Sequence, residues 1–198
     1  TKFTSDVFSM WNYTNLFGSW NHSIFQAPGC WVDAAHRNGT DIMSGIKFFE
    51  SWTAGSGDKA YTKLITEKNT DGTFKYTQAL INCLMYFGAD GINYNWEDAS
   101  YSGADVTAFH KSLYKEAAAQ GFDNFHAGIY TSNSSLTNGY KEALFGTTET
   151  GRTFDLMLNY SGGDFTGTNA MRSSVKVAES AMGTCEGLYT GVWFVNMD

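Results

Sequence analysis

The residues with the most chemistry in them lie in one stretch, Asp90-Gly91-Ile92-Asn93-Tyr94-Asn95-Trp96-Glu97. Alternate side chains of an extended strand share a face. Asn93, Asn95 and Glu97 therefore project one way, and Ile92, Tyr94 and Trp96 the other. Burying two amides and an acid along one line is costly unless they hydrogen-bond to one another or to a ligand. In a barrel that row faces the axis, with Glu97 highest, at the rim where substrates sit. The bland alternative is a strand end at which Glu97 and Asp98 simply enter solvent; three polar residues in line favour a site.

Short apolar runs that would position such a row recur along the chain and alternate with helical patterns. Strands are expected at Tyr13–Trp20, Ile42–Phe49, Gly91–Trp96, Phe125–Tyr130, Phe154–Tyr160 and Leu188–Val195. The spacing predicts helices over Gly29–Arg37 (after Pro28, the chain's only proline), Phe74–Phe87, Asp105–Gln120 and Asn169–Met182, with shorter ones over Asp58–Glu67 and Leu136–Phe145. Six strands alternating with helices describe a parallel α/β sheet, either doubly wound and open or closed as a (β/α)8 barrel. No G-x-G-x-x-G and no G-K-[ST] follows any strand, so the open sheet loses its usual phosphate ligand. A barrel keeps polar residues at the C-terminal ends of its strands, but needs eight strands and usually about 250 residues. The expected fold is thus a (β/α)8 TIM-type barrel of which the chain covers about six strands. Residues 1–198 are expected to be one catalytic domain, incomplete at both ends.

Composition narrows the ligand. Of 198 residues, 16% are aromatic and 17% charged, below the about 25% charge of typical domains, and such aromatic content excludes a disordered chain. Lys and Arg number 13 against 20 Asp and Glu, a net charge of -7, which argues against nucleic acid and against an anionic membrane surface. An aromatic-rich, weakly charged chain fits a neutral amphipathic ligand such as a sugar. Cys30, Cys83 and Cys185 lie far apart without a C-x-x-C, and His22, His36, His110 and His126 never fall at H-x-x-x-H spacing, so neither a metal nor any other cofactor is expected. His36 reads as a helix C-terminal cation or a packed residue, and Met171, Met182 and Met197 as packing. No apolar run approaches the about 18 residues of a membrane span. The chain opens on Thr1 without a signal peptide, and is read as an excerpt or a processed form.

The Asp90–Glu97 stretch resembles the D-G-x-D-x-D-x-E signature of family 18 chitinases, with Asn93 and Asn95 replacing both inner aspartates. It is more similar to the N-x-E signature of family 85 endo-β-N-acetylglucosaminidases. Three further segments carry that resemblance. Trp31-Val32-Asp33-Ala34-Ala35-His36-Arg37-Asn38-Gly39 resembles that family's W-x-x-A-A-H-R-N-G helix, followed by a strand like Gly45–Glu50. Ile129-Tyr130-Thr131 falls where the family has a strand-end tyrosine, and Phe154–Tyr160 resembles a later strand ending in Asn-Tyr. The likeness runs in order over nearly the whole chain. It implies barrel strands two to seven, with strand one before Thr1 and strand eight after Asp198.

The resemblance also implies substrate-assisted hydrolysis, an exception to the usual pair of enzymic carboxylates. The 2-acetamido group of the sugar supplies the nucleophile and an oxazoline forms. Glu97 is implied as the acid and then the base, Asn95 as the partner of the acetamido nitrogen, and Tyr130 as a hydroxyl donor to the acetamido oxygen. Asn93 is expected to contact substrate or to be a satisfied axial amide. Trp20, Trp52 and Trp193 stand at or after strand ends, where they stack on sugars or pack in the core. Glu50 and Asn159 end strands too, as binding-site candidates. The implied partner is an N-acetylglucosamine-containing glycan or glycoprotein, specifically the N,N'-diacetylchitobiose core of N-glycans, with no nucleic acid, no membrane insertion and no assigned oligomeric state. Secretion, or a cell-surface or periplasmic location, is expected, with the cytoplasm as the alternative. Competing readings are a family 18 chitinase-like enzyme, a non-catalytic glycan-binding module on the same fold, and an open-sheet structural domain.

Overall fold

A computed structural model describes residues 8–18, 27–47, 60–96, 102–139, 141–160 and 169–192. Six strands form one parallel sheet: β1 (Leu16–Gly18), β2 (Asp41–Lys47), β3 (Gly91–Trp96), β4 (His126–Thr131), β7 (Asp155–Leu158) and β8 (Leu188–Thr190), paired in that order. Their connections carry α1 (Gly29–Arg37), α2 (Ala60–Thr66) and α3 (Thr77–Phe87), α4 (Gly103–Ala119), α5 (Lys141–Leu144) and α6 (Ala170–Met182). A two-stranded hairpin, β5 (Gly146–Thr147) with β6 (Gly151–Arg152), follows α5.

Alternation along the strands sorts the faces. Ile46, Ile92, Tyr94, Ala127, Ile129, Leu156 and Leu158 are buried in one core with Leu80, Ile81 and Leu84 of α3 and Val106, Phe109 and Leu113 of α4. Each fully buried side chain of this kind is worth about 1.5–3 kcal/mol over leaving it in water, which is what holds the helices on one face. The other face is concave. Met43 of β2 reaches across β3 to β4, where a Cβ on Gly128 would meet its sulfur at 2.9 Å.

The elements run close to the expectations from sequence, with physical reasons for the departures. α1 and β3 match them to the residue. The first strand starts at Leu16 rather than Tyr13, because Trp11–Tyr13 turns as a 3-10 helix and leaves Tyr13 82% exposed. α3 starts at Thr77 rather than Phe74, since Phe74 pairs back on Lys68 in an isolated antiparallel bridge. α5 begins at Lys141, well inside Leu136–Phe145. Gly88 ends α3 in the left-handed region at φ 70°, where its missing side chain avoids the usual penalty. Met182 packs against the core as expected, but Met171 is exposed on α6, and Met197 lies outside the described residues.

Candidate active site

The concave face is built from β2, β3, β4 and β7, and the ladder sets which side chains share a level. Asn93 pairs with Gly128, Asn95 with Tyr130, and Tyr130 with Met157. Paired residues of parallel strands point to the same side. Asn95 and Tyr130 therefore stand side by side near the C-terminal strand ends, opposite in direction to Tyr94 and Ile129, which face the helices. Asn93 lies one pleat deeper and is half-buried, with its Nδ2 placed 3.1 Å from where a Cβ on Gly18 would be. Two glycines, Gly18 and Gly128, thus open the space that this amide and Met43 occupy.

Asn95 is buried, and its Oδ1 accepts no hydrogen bond among the described residues. An unpaired buried amide oxygen costs about 1–3 kcal/mol, and it is a ready acceptor for a ligand N–H. Tyr130, only 1% exposed, accepts a 2.7 Å hydrogen bond at its hydroxyl from Asn159 Nδ2. Asn159 follows the last residue of β7, and its backbone N–H donates to Asn133 O at 2.9 Å, joining the segment after β7 to the loop after β4. Tyr160 stacks on the Tyr130 ring at 6.0 Å with 14° between the planes.

Beneath β3, Tyr94 meets His110 of α4 and Phe154 edge-on. Burial pushes the Tyr94 hydroxyl far up, and pushes His110 down to about 3. His110 is therefore neutral, with Nδ1–H donating to Val106 O at 2.9 Å.

At the opposite, N-terminal ends of the strands sits a second polar group. His126 donates from Nδ1 to Asp155 Oδ2 and from Nε2 to Asp41 Oδ2, each at 3.0 Å. Only the imidazolium has both donors, and its pKa is raised, first by the Asp155 hydrogen bond and then by that of Asp41. Asp90 accepts from Ile42 N at 2.8 Å and from Asn124 Nδ2 at 3.1 Å, and lies 2.7 Å from His36 Nε2. His36 is accordingly a hydrogen-bond partner of Asp90 at the end of α1.

Of the residues singled out from sequence, Asn95, Tyr130 and Asn159 come together, with Asn93 below them. Glu97, Trp20, Glu50, Trp52 and Trp193 lie outside the described residues. What the sequence did not reveal is that Asn159 bonds to Tyr130 rather than standing alone at a strand end. Among the described residues no group of His, Cys, Asp or Glu is arranged to hold a metal ion, and no helix is long and apolar enough to cross a membrane. A hollow of about 740 Å³ between α4 and α5, lined by Gly103, Thr107, Lys111 and Glu142 among others, belongs to the helix layer and not to the concave face.

Comparison with known proteins bears on this arrangement. The profile of glycosyl hydrolase family 85 matches residues 1–142. A cytosolic endo-beta-N-acetylglucosaminidase from Gallus gallus is 36% identical over 64 residues, 28% of this chain and 9% of that protein. Among solved structures, a chitinase from Bacteroides thetaiotaomicron superposes over 90% of this chain and 58% of its own, with a TM-score of 0.56 at 14% identity. A class V chitinase from Pseudomonas fluorescens does so over 92% and 62%, with a TM-score of 0.59 at 14% identity. The chain therefore spans about three fifths of the length of those structures. They share its fold, the TIM-barrel arrangement of parallel strands and covering helices.

Proposed function

The chain belongs to glycosyl hydrolase family 85, and from that membership we propose that it carries the catalytic face of an endo-acting glycosidase. Its substrate is the N,N'-diacetylchitobiose core of N-glycans, cut between the two N-acetylglucosamine residues. The observation that carries this reading is the Asn95 oxygen, buried and unpaired among the described residues on the concave face, level with a tyrosine hydroxyl. An acetamido group offers an N–H to the Asn95 oxygen, and its carbonyl oxygen can accept from the Tyr130 hydroxyl beside it.

The chemistry follows from that pairing. The carbonyl oxygen of the acetamido group attacks the anomeric carbon of its own sugar as the glycosidic C–O bond breaks. Glu97, next in the alternation after Asn93 and Asn95, gives its proton to the leaving oxygen. Positive charge develops on the acetamido nitrogen, and the Asn95 oxygen accepts its N–H in a site where water does not compete. Tyr130 holds the carbonyl oxygen in line, a positioning effect. Water then adds to the anomeric carbon of the oxazoline, Glu97 takes its proton, and the acetamido group is restored. Asn93 lies one pleat below Asn95 on the same face. Trp20, Glu50 and Trp193 are proposed to contact the sugars beyond the cleavage point.

The test uses the full-length protein and a high-mannose glycoprotein. Wild type removes the glycan and leaves one N-acetylglucosamine on each asparagine, read as a mass loss, and Glu97→Gln does not. Cleavage of chitooligosaccharides alone overturns the N-glycan substrate, and binding without cleavage by either protein overturns the enzyme.

A further inference from the structure

The hydrogen bond between Asn159 and Tyr130 has a fixed direction. An amide NH2 donates and cannot accept, so the Tyr130 oxygen receives and its own proton is not spent on Asn159. A phenol that accepts one hydrogen bond becomes a stronger donor of the next, through mutual polarisation. We infer that Asn159 is a positioning residue that commits the Tyr130 hydroxyl to donate toward the substrate's acetamido oxygen. This rests on the role proposed for Tyr130 above.

The surrounding contacts fit a part built to hold that geometry. The β4–β7 ladder ends at Tyr130 and Met157, below the level of Asn159. Beyond it the two strands are joined only through side chains and loops among the described residues. Asn159 N donates to Asn133 O, Asn133 Nδ2 donates to Thr131 Oγ1 at 2.9 Å, and Thr131 directly follows Tyr130. Together with Asn159 Nδ2 to Tyr130 Oη, these bonds close a ring from Tyr130 back to Tyr130. Tyr160 stacks alongside the phenol with 14° between the ring planes. Asn159 is thereby set against the phenol from a second strand, at hydrogen-bond distance and with its donor end inward.

The substitutions Asn159→Ala, Asn159→Asp and Tyr130→Phe, and the double variant Asn159→Ala with Tyr130→Phe, test this in the full-length protein on a high-mannose glycopeptide. Asn159→Ala lowers kcat about tenfold with KM near wild type, the loss expected of one hydrogen bond. Asn159→Asp has nearly the same shape but a carboxylate can only accept, so it captures the phenolic proton. It lowers kcat more than Asn159→Ala near neutral pH, and recovers as the pH falls and the carboxyl regains a proton to donate. In the Tyr130→Phe background Asn159→Ala costs less than about twofold, because the group it acts through is gone. Thermal unfolding confirms that each variant folds, and the near-isosteric Asp variant keeps the test open if the Ala variant does not. The inference is overturned if Asn159→Asp keeps wild-type kcat and pH profile, if the losses of the two single variants multiply in full, or if KM alone changes. Wild type that leaves the glycopeptide uncut overturns the functional reading, and this inference with it, without any variant being made.

Discussion

At the N-terminal ends of β2, β4 and β7, His126 uses both ring nitrogens on Asp155 and Asp41, and nearby Asp90 collects donors from Ile42, Asn124 and His36. At the C-terminal ends of β3 and β4, an amide oxygen is buried with no partner among the described residues. The same sheet thus satisfies polar groups at one end and leaves one waiting at the other. In barrels of this type the first end serves stability and the second serves ligands. A fold tolerates an unmet acceptor where a substrate completes it.

The contrast is broken most severely at the C-terminal end. Asn95→Ala is expected to lower hydrolysis by about 10²–10³-fold, while a preformed sugar oxazoline is still processed, since that substrate already carries the bond the amide helps to form. Its Tm stays level or rises, because the variant removes a buried unpaired oxygen. A falling Tm with normal hydrolysis would put Asn95 on the stability side. Next in size is Gly91→Ala, whose Cβ would run into the His126 carbonyl. It costs about 3 kcal/mol in denaturant unfolding, whereas a neutral result means that the strands relax apart there. His126→Ala is milder, about 2 kcal/mol for hydrogen bonds to charged partners, with kcat at saturating glycan unchanged. A loss of kcat at constant stability would move His126 into the site.

The smallest effect is the pH dependence. His126 binds its proton more tightly when folded than the usual 6.5 of a free imidazole. Its contribution is fully present below pH 6.5 and fades as the pH rises through the higher folded value. His110 works in the opposite sense: buried neutral, it favours folding above pH 6.5 and loses that contribution as the pH falls toward about 3. Raising the pH from 6 to 8 therefore lowers Tm through His126, and His126→Asn removes that decline, as thermal melts at the two pH values will show.

Where local chemistry decides structure, the sequence was informative. Pro28 before α1, the glycines after the helices and the alternation in Asp90–Glu97 placed α1 and β3 to the residue, and put Asn95 and Ile92 on opposite faces. Elements held by long-range contacts were less legible. The β5–β6 hairpin has two residues a side and no pattern to read. The His126 group draws on positions 29 and 85 residues away, a distance that no spacing rule spans. Asn159 was recognisable as a polar strand end, but its partner lies 29 residues earlier on another strand. Only the pairing of β4 with β7, which leaves Asn159 just beyond the level of Tyr130, brings them within reach.

Gly91 ties the two ends together. A strand repeats every two residues, so sliding β3 by a single position would turn Asn95 toward the helices and swing Tyr94 onto the concave face. At Gly91 the backbone of β4 comes so close that only hydrogen fits, and with Ile92 or Asp90 moved into that place the strands could not close. The bare carbon at the foot of β3 acts as a key that only one alignment turns, and it keeps the amide and the phenol abreast at the other end.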